Sequence, residues 1–273
     1  MHPSPLRALS ARIRARVVSM SHAGDAAHLG SALSCVDILV AAYFGALRLD
    51  PAQPRWPGRD RFILSKGHAA MALYAVLAER GVIDPALLDT FNHEGSQLAE
   101  HPPAHGVPGV EAATGSLGHG LPIACGMALA AKVRGERHRV IALLSDGECN
   151  EGSVWEAALF APAKGLDQLT AVIDYNRWQA TDRSDEVLAL PPLADKWRAF
   201  QWHVEEADGH DPEALAQLLA QPSPRPGQPR AVIAHTVKGK GVSFMEDDNN
   251  WHYRVPDEGE VAAAHRELLG AGA

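Results

Sequence analysis

Two short apolar runs constrain the fold of this chain more than any other feature. Val140-Ile141-Ala142-Leu143-Leu144 is unbroken, and Leu169 to Ile173 is nearly so. Runs of this kind suit strands covered on both faces, as in parallel sheets. Residues 152–164 between them read as a helix. Strand, helix, strand in that order makes a right-handed crossover. Arg230 to His235, with Ala231-Val232-Ile233-Ala234 at its centre, and Phe62-Ile63-Leu64-Ser65 are further strand candidates. Helical stretches fall at 6–22, 35–48, 69–80 and 120–134. The expected class is α/β, a mostly parallel sheet flanked by helices on both faces.

Composition narrows the function. With 25 Lys+Arg and 33 Asp+Glu the net charge is 25 − 33 = −8. That argues against a protein that grips a nucleic-acid backbone, which shows a basic stripe. Cys35, Cys125 and Cys149 form no CxxC pair, so neither a disulfide framework nor a structural zinc site is expected, and a cytoplasmic setting fits. No apolar run reaches the length of a membrane span. The N-terminus carries Arg7, Arg12, Arg14 and Arg16 with no acid before Asp25, a composition shared with transit peptides. However, Leu9, Ile13, Val17 and Met20 recur on one helical face, so the stretch reads as part of the fold. Chains of this length in this class are often single domains, and one domain over 1–273 is expected. Residues 100–120 and 236–258 are long, irregular and rich in Gly and His, as functional loops are.

The chemistry concentrates between residues 145 and 178. One strand ends in Ser145-Asp146-Gly147-Glu148, and the next in Asp174-Tyr175-Asn176. Asp146 and Asn176 thus lie one strand–helix–strand unit apart, both beyond carboxyl ends of neighbouring strands, where open α/β sheets bind ligands. A carboxylate and an amide oxygen there suit a hard cation such as magnesium, completed by backbone oxygen, water and substrate phosphate. Gly147 lets the backbone pass close to a phosphate. Taken alone, Asp146-Gly147 is equally a plain turn ending a buried strand.

With this spacing the segment resembles the thiamine-diphosphate motif, GDG followed about thirty residues later by Asn. The rest of the chain, over about 10–268, resembles the diphosphate-binding domain of transketolases, and more narrowly the N-terminal subunit of two-gene transketolases. Four further blocks carry the likeness: His28 to Ser34 with Asp37-Ile38-Leu39, Asp60 to Ala70, Thr114 to Gly120, and Lys238 to Glu246 with Trp251-His252. The resemblance implies Asp146, Asn176 and the Trp178 carbonyl as ligands of Mg2+, with Ca2+ or Mn2+ as substitutes. It implies His68, Gly115, Leu117 and Gly147 as contacts of thiamine diphosphate. It implies Glu151 as a buried glutamate at a dimer interface, and His28, His101 and His252 as groups facing the donor's hydroxyls and reacting carbon. The implied reaction moves a two-carbon ketol unit from a ketose to an aldose. The pyrimidine-binding and C-terminal domains, with the glutamate that activates the cofactor, are expected on a partner chain in an α2β2 heterotetramer. By this reading the chain alone is inactive, and its substrates are sugars or sugar phosphates.

Three positions depart from the family pattern: Ser145 at the first Gly of GDG, Asp182 where relatives often have Gly, and Tyr253 after His252. The histidines also admit plainer readings. His28 alone reads as a solvated cap residue. His68 opens a helix, where free N–H groups favour anions. His93, His105, His119, His138 and His210 carry no matched role, and His119 adjoins the Gly-rich segment. Gly239 and Gly241 suggest a segment that closes over a ligand. Competing functions are one half of a thiamine-dependent 2-oxoacid decarboxylase or dehydrogenase, a two-carbon transferase of natural-product or unusual-sugar biosynthesis, and a cofactor-free remnant. A dinucleotide-binding protein is argued against by the lack of GxGxxG after a strand.

Overall fold

A computed structural model describes residues 4–270. The ends of the expected domain, 1–3 and 271–273, and the first residues of the leader-like stretch lie outside the described residues. In chain order the helices are α1 (Pro5–Ala23), α2 (Leu29–Ser34), α3 (Val36–Ala41), α4 (Ala70–Glu79), α5 (Gly120–Arg134), α6 (Gly152–Ala163), α7 (Ser184–Val187), α8 (Leu193–Ala199), α9 (Pro212–Ala220) and α10 (Glu258–Leu269). The strands are β1 (Arg61–Leu64), β2 (Val140–Ser145), β3 (Leu169–Tyr175), β4 (His203–Asp208) and β5 (Arg230–His235). They form one sheet in the order β1-β2-β3-β5-β4, every pair parallel.

The expected apolar face of α1 is buried: Leu9, Ile13, Val17 and Met20 are each at most 6% exposed. Ser4 caps this helix, its hydroxyl accepting from the Arg7 N–H, and Pro5 follows with its φ already helical. Alternate residues of the central strands feed two cores. Ile141, Leu143, Val172 and Val232 meet the first four helices and α9, while Val140, Ala142, Leu144, Ala171 and Ile233 meet α5, α6 and α8. This two-sided burial explains the unbroken apolar runs.

The structure adds helices α7 to α10, which the sequence reading did not name, and departs from expectation at one helix and one strand. The helix expected over 35–48 begins earlier and breaks. Leu29–Ser34 and Val36–Ala41 are separate turns joined at Cys35, and a π-turn spans Ala42–Ala46. Asp37 opens α3 and is held there by the Arg14 guanidinium and by His210 Nδ1 at 2.9 Å. His210, which had no matched role, thus serves this buried ion pair. Strand β4 had no signal because it lies at the sheet's edge. Its His203, Glu205, Glu206 and Asp208 are partly or fully exposed, so no apolar run marks it.

Candidate active site

Parallel pairing sends all the strand carboxyl ends to one side. The segments after β1, β2, β3 and β5 therefore meet: Ser65 to His68, Asp146 to Glu148, Asn176 to Trp178 and Thr236 to Lys238. Asp146 is fully buried. Its Oδ1 accepts from the Gly147 N–H at 2.9 Å, and its Oδ2 accepts from the Arg177 N–H and Ser184 Oγ, both at 2.8 Å. It thereby ties the end of β2 to the turn after β3. Burial pushes this carboxyl up to about 7, and the Asp174 charge adds to the rise. No basic side chain among the described residues forms an ion pair with it. Asn176 points its amide nitrogen at Ser34 Oγ and Asp174 Oδ2, both 3.4 Å away, while its oxygen accepts from the Trp178 N–H at 3.0 Å. The Trp178 ring lies under the Arg183 guanidinium, 3.8 Å from centroid to Cζ, and its Nε1 donates to Asp247 at 2.8 Å.

Beneath this layer Lys66 and Asp174 form a fully buried ion pair. Burial alone would lower the Lys66 ammonium, and Asp174 outweighs it, holding the ammonium up while its own carboxyl is held down. Ser34 donates to Asp174 Oδ2 at 2.6 Å, and Thr236 donates to Oδ1. The floor is thus neutral and satisfied.

Four histidines gather above it. The His28 ring lies 5.0 Å from His252, 5.5 Å from His68 and 5.8 Å from His101, and His68 lies 6.1 Å from His252. They come from the entry to α2, the turn before α4, the 100–120 loop and the turn Asn249–His252. His28 does not cap α2 with its side chain. Its φ of 66° turns the ring into the cluster instead, and its N–H donates to the His252 carbonyl at 2.7 Å. Burial lowers the imidazoles of His28 and His68, and takes His252 down to about 3 with help from Lys238. At neutral pH these three rings are uncharged.

Lys238 is a functional candidate that its sequence context disguises as a solvated loop residue. It is fully buried. Its Nζ reaches Asn249 Oδ1 at 2.7 Å, His252 Nδ1 at 3.0 Å and the Gln179 carbonyl at 3.3 Å. Burial and Lys66 bring it down to about 7. The Gly-rich run around it has a local cause: Gly239 sits at φ 78°, and a Cβ there would meet the Met245 carbonyl oxygen at 2.1 Å. Only a KGKG-type pattern hinted at this lysine.

The family described as "Transketolase, thiamine diphosphate binding domain" matches residues 7–272. The chain belongs to the transketolase family. It is 42% identical over 246 residues to the 6-deoxy-6-sulfo-D-fructose transketolase subunit of a Clostridium species, covering 90% of each chain. It is 40% identical over 268 residues to one of the subunits of the apulose-4-phosphate transketolase of Phocaeicola vulgatus, covering 98% of this chain and 95% of that one. Human transketolase is 40% identical over 245 residues, a match covering 88% of this chain and 38% of that one. Among solved structures, a transketolase mutant from Pichia stipitis superposes with a TM-score of 0.90 at 26% identity, over 97% of this chain and 41% of that one.

The residues present fit the family's cofactor and metal. Asp146 lacks positive charge, Lys238 lacks an anion, and Gln179 Nε2 is buried without a partner between them. A diphosphate with a divalent cation supplies all three needs. Among the described residues no three His, Cys, Asp or Glu side chains converge on a metal point. A donor set with one carboxylate, one amide and one carbonyl is of that kind, and leaves room for phosphate oxygen. Gly147 faces Gln179, whose Cγ would lie 3.0 Å from a Cβ added there. Gly115, at φ 134°, packs on the His101 ring, where an added Cβ would meet Cδ2 at 2.7 Å. Leu117, half-buried, follows in the same turn. Glu151 is exposed on this chain, so its burial would need another chain. Buried within this chain is a different glutamate, Glu148, which accepts from Ser65 Oγ at 2.5 Å and the Gly118 N–H at 2.8 Å. It ties the Gly-rich loop to the ends of β1 and β2.

The three departures are accommodated. Ser145 Oγ accepts from the Glu148 N–H at 3.2 Å. Asp182 has no positive φ, so glycine is not required there, and its carboxylate accepts from the Arg183 N–H at 2.7 Å. Tyr253 is 64% exposed with its ring 4.8 Å from His252, at the rim of the site. Cys35, Cys125 and Cys149 are free and buried. No helix among the described residues is long and apolar enough to cross a membrane.

Proposed function

We propose that this chain is the diphosphate- and metal-binding half of a two-chain transketolase that moves a two-carbon ketol unit from a ketose to an aldose. The observation that carries the reading is the gathering of three further histidines around His28, one of which, His252, meets a buried Lys238 that connects through Gln179 to the Asp146 donor set. Asp146, Asn176 and the Trp178 carbonyl would hold magnesium. His68 and Lys238 would face the diphosphate, with Gly147 and the Gly115–Leu117 turn lining it. When bound, thiamine diphosphate supplies the carbanion chemistry that the protein's own side chains lack. The uncharged imidazoles of His28 and His252 accept or donate hydrogen bonds at the donor's hydroxyls, and move a proton without first losing one. His101, 5.8 Å from the His28 ring, would complete the polar lining.

A partner chain would bring the pyrimidine-binding domain and the activating glutamate, in an α2β2 assembly. The naming as subunits of relatives matched over 90% or more of their length supports this. Those names also favour a sugar phosphate or sulfosugar donor. Buried free thiols suit a reducing, cytoplasmic location. Co-expression with the product of the neighbouring gene, followed by ketol-transfer assays with thiamine diphosphate and magnesium, tests the reading. Transfer is expected from the assembled pair and not from either chain alone. Turnover by the isolated chain would remove the partner, and decarboxylation of pyruvate without ketol transfer would replace the reaction.

A further inference from the structure

The 100–120 loop contributes a carboxylate to the histidine cluster that no motif announced. Glu100 Oε1 lies 3.1 Å from His28 Nδ1. The contact is sheltered: the His28 side chain is 20% exposed and that of Glu100 is 31% exposed. The backbone on either side is held in place. The buried Tyr74 of α4 donates its hydroxyl towards the Ala99 carbonyl at 3.0 Å and the His101 carbonyl at 3.3 Å, bracketing Glu100. The Leu98 carbonyl accepts from the Asn92 N–H at 2.8 Å. From the other side, His28 is pinned through its own N–H to the His252 carbonyl. Two anchored segments thus present one carboxylate to one ring nitrogen.

We propose that Glu100 is a positioning residue for His28. A carboxylate at Nδ1 accepts the ring proton there and leaves Nε2 as a free acceptor. This is the general arrangement of a base oriented by a third group. The other titratable groups that face His28 are His68, His101, His252 and Lys238: His101 and Lys238 disfavour its protonation, and burial keeps His68 and His252 uncharged. Glu100 alone among them favours it. The dyad therefore lets His28 take a proton from a substrate hydroxyl and share the new charge with Glu100. The proton moves to Nε2, Nδ1–H stays bonded to the carboxylate, and no other reactant is needed.

The inference rests on the proposed ketol-transfer reading for its catalytic consequence but not for its tautomer. Two measurements separate them. Histidine-selective 15N NMR of the full chain, with His28 assigned from a His28→Gln variant, reads the tautomer directly. The expected spectrum has Nδ1 protonated and Nε2 bare. In Glu100→Gln the His28 ring should lose that preference and titrate at lower pH. In the assembled enzyme, Glu100→Gln should lower kcat about tenfold, a size common for partners that orient a reacting group. It should leave KM for thiamine diphosphate unchanged and shift the acid limb of the kcat profile. Glu100→Asp should recover part of the rate, and Glu100→Gly none. An Nε2-protonated His28 in the wild-type chain, or Glu100→Gln with an unchanged profile, would overturn the proposal. An assembly that lacks ketol transfer in wild type would sink the reaction while the NMR result still decides the dyad.

Discussion

Two buried aspartates at opposite ends of the same sheet have opposite surroundings. Asp60 stands at the amino end of β1. It accepts from the backbone N–H of Arg48 at 2.9 Å and of Arg139 at 2.8 Å, and from both guanidinium groups at 3.0 and 2.7 Å. Burial alone would raise its carboxyl, but the two arginines outweigh it and hold the carboxyl low. Asp146, at the carboxyl end of β2, is equally hidden but receives only neutral donors, and burial drives it up to about 7. One carboxylate is saturated by the protein itself. The other is left short of positive charge, which supports the cation proposed for this site.

Substitutions at the two ends should separate these roles. The largest effect is expected from Asp146→Asn, which should reduce ketol transfer by the assembled pair at least about a hundredfold, more than the loss of an outer metal partner. The same change should leave the melting temperature of the cofactor-free chain unchanged or raised, because it removes an uncompensated buried charge. Calorimetry with and without magnesium and thiamine diphosphate checks both halves. A large loss of stability without cofactor would erase the contrast.

Asp60→Asn should behave in the opposite way. It strands Arg139 and part of Arg48, at a cost of about 3 kcal/mol by urea unfolding, while activity per folded molecule is retained. Acid titration sharpens the point. Because the folded-state carboxyl of Asp60 is depressed, its contribution is fully present above the unfolded value of about 4 and is lost as pH falls through the folded one. Wild type should therefore lose stability below about pH 4 more steeply than Asp60→Asn. Parallel curves would show that the arginine network adds nothing. The smallest effect is expected at Ser145→Gly. It loses the bond from the Glu148 N–H and gains backbone freedom, for less than about 1 kcal/mol, with ketol transfer nearly intact.

The same contrast explains what the sequence could reveal. The central strands were legible because they are apolar on both faces, and Asp146 and Asn176 because strand ends and their spacing carry the motif. The edge strand β4 was hidden by its polar residues, and the break at Cys35 left no mark in an apolar stretch. His28, His68, His101 and His252 were singled out by resemblance, but their meeting depends on loops distant in sequence. Lys238 and Glu100 went unassigned because a lysine among glycines and a glutamate in a loop look like solvent-facing residues. Only burial of Lys238 and the 3.1 Å contact of Glu100 with His28 distinguish them.

The hydrogen bond from His28 to the carbonyl of His252 also joins an early part of the chain to a late one. All five strands precede His252 in the chain, so a chain ending soon after His235 carries every strand but no partner carbonyl for His28. Such a truncated chain would leave His28 unpinned. The wall formed by His28 and His252 is thus shared between the two ends of the fold, and truncations ending at residues 240 and 260, each assembled with the proposed partner chain, should retain the cofactor only in the longer product.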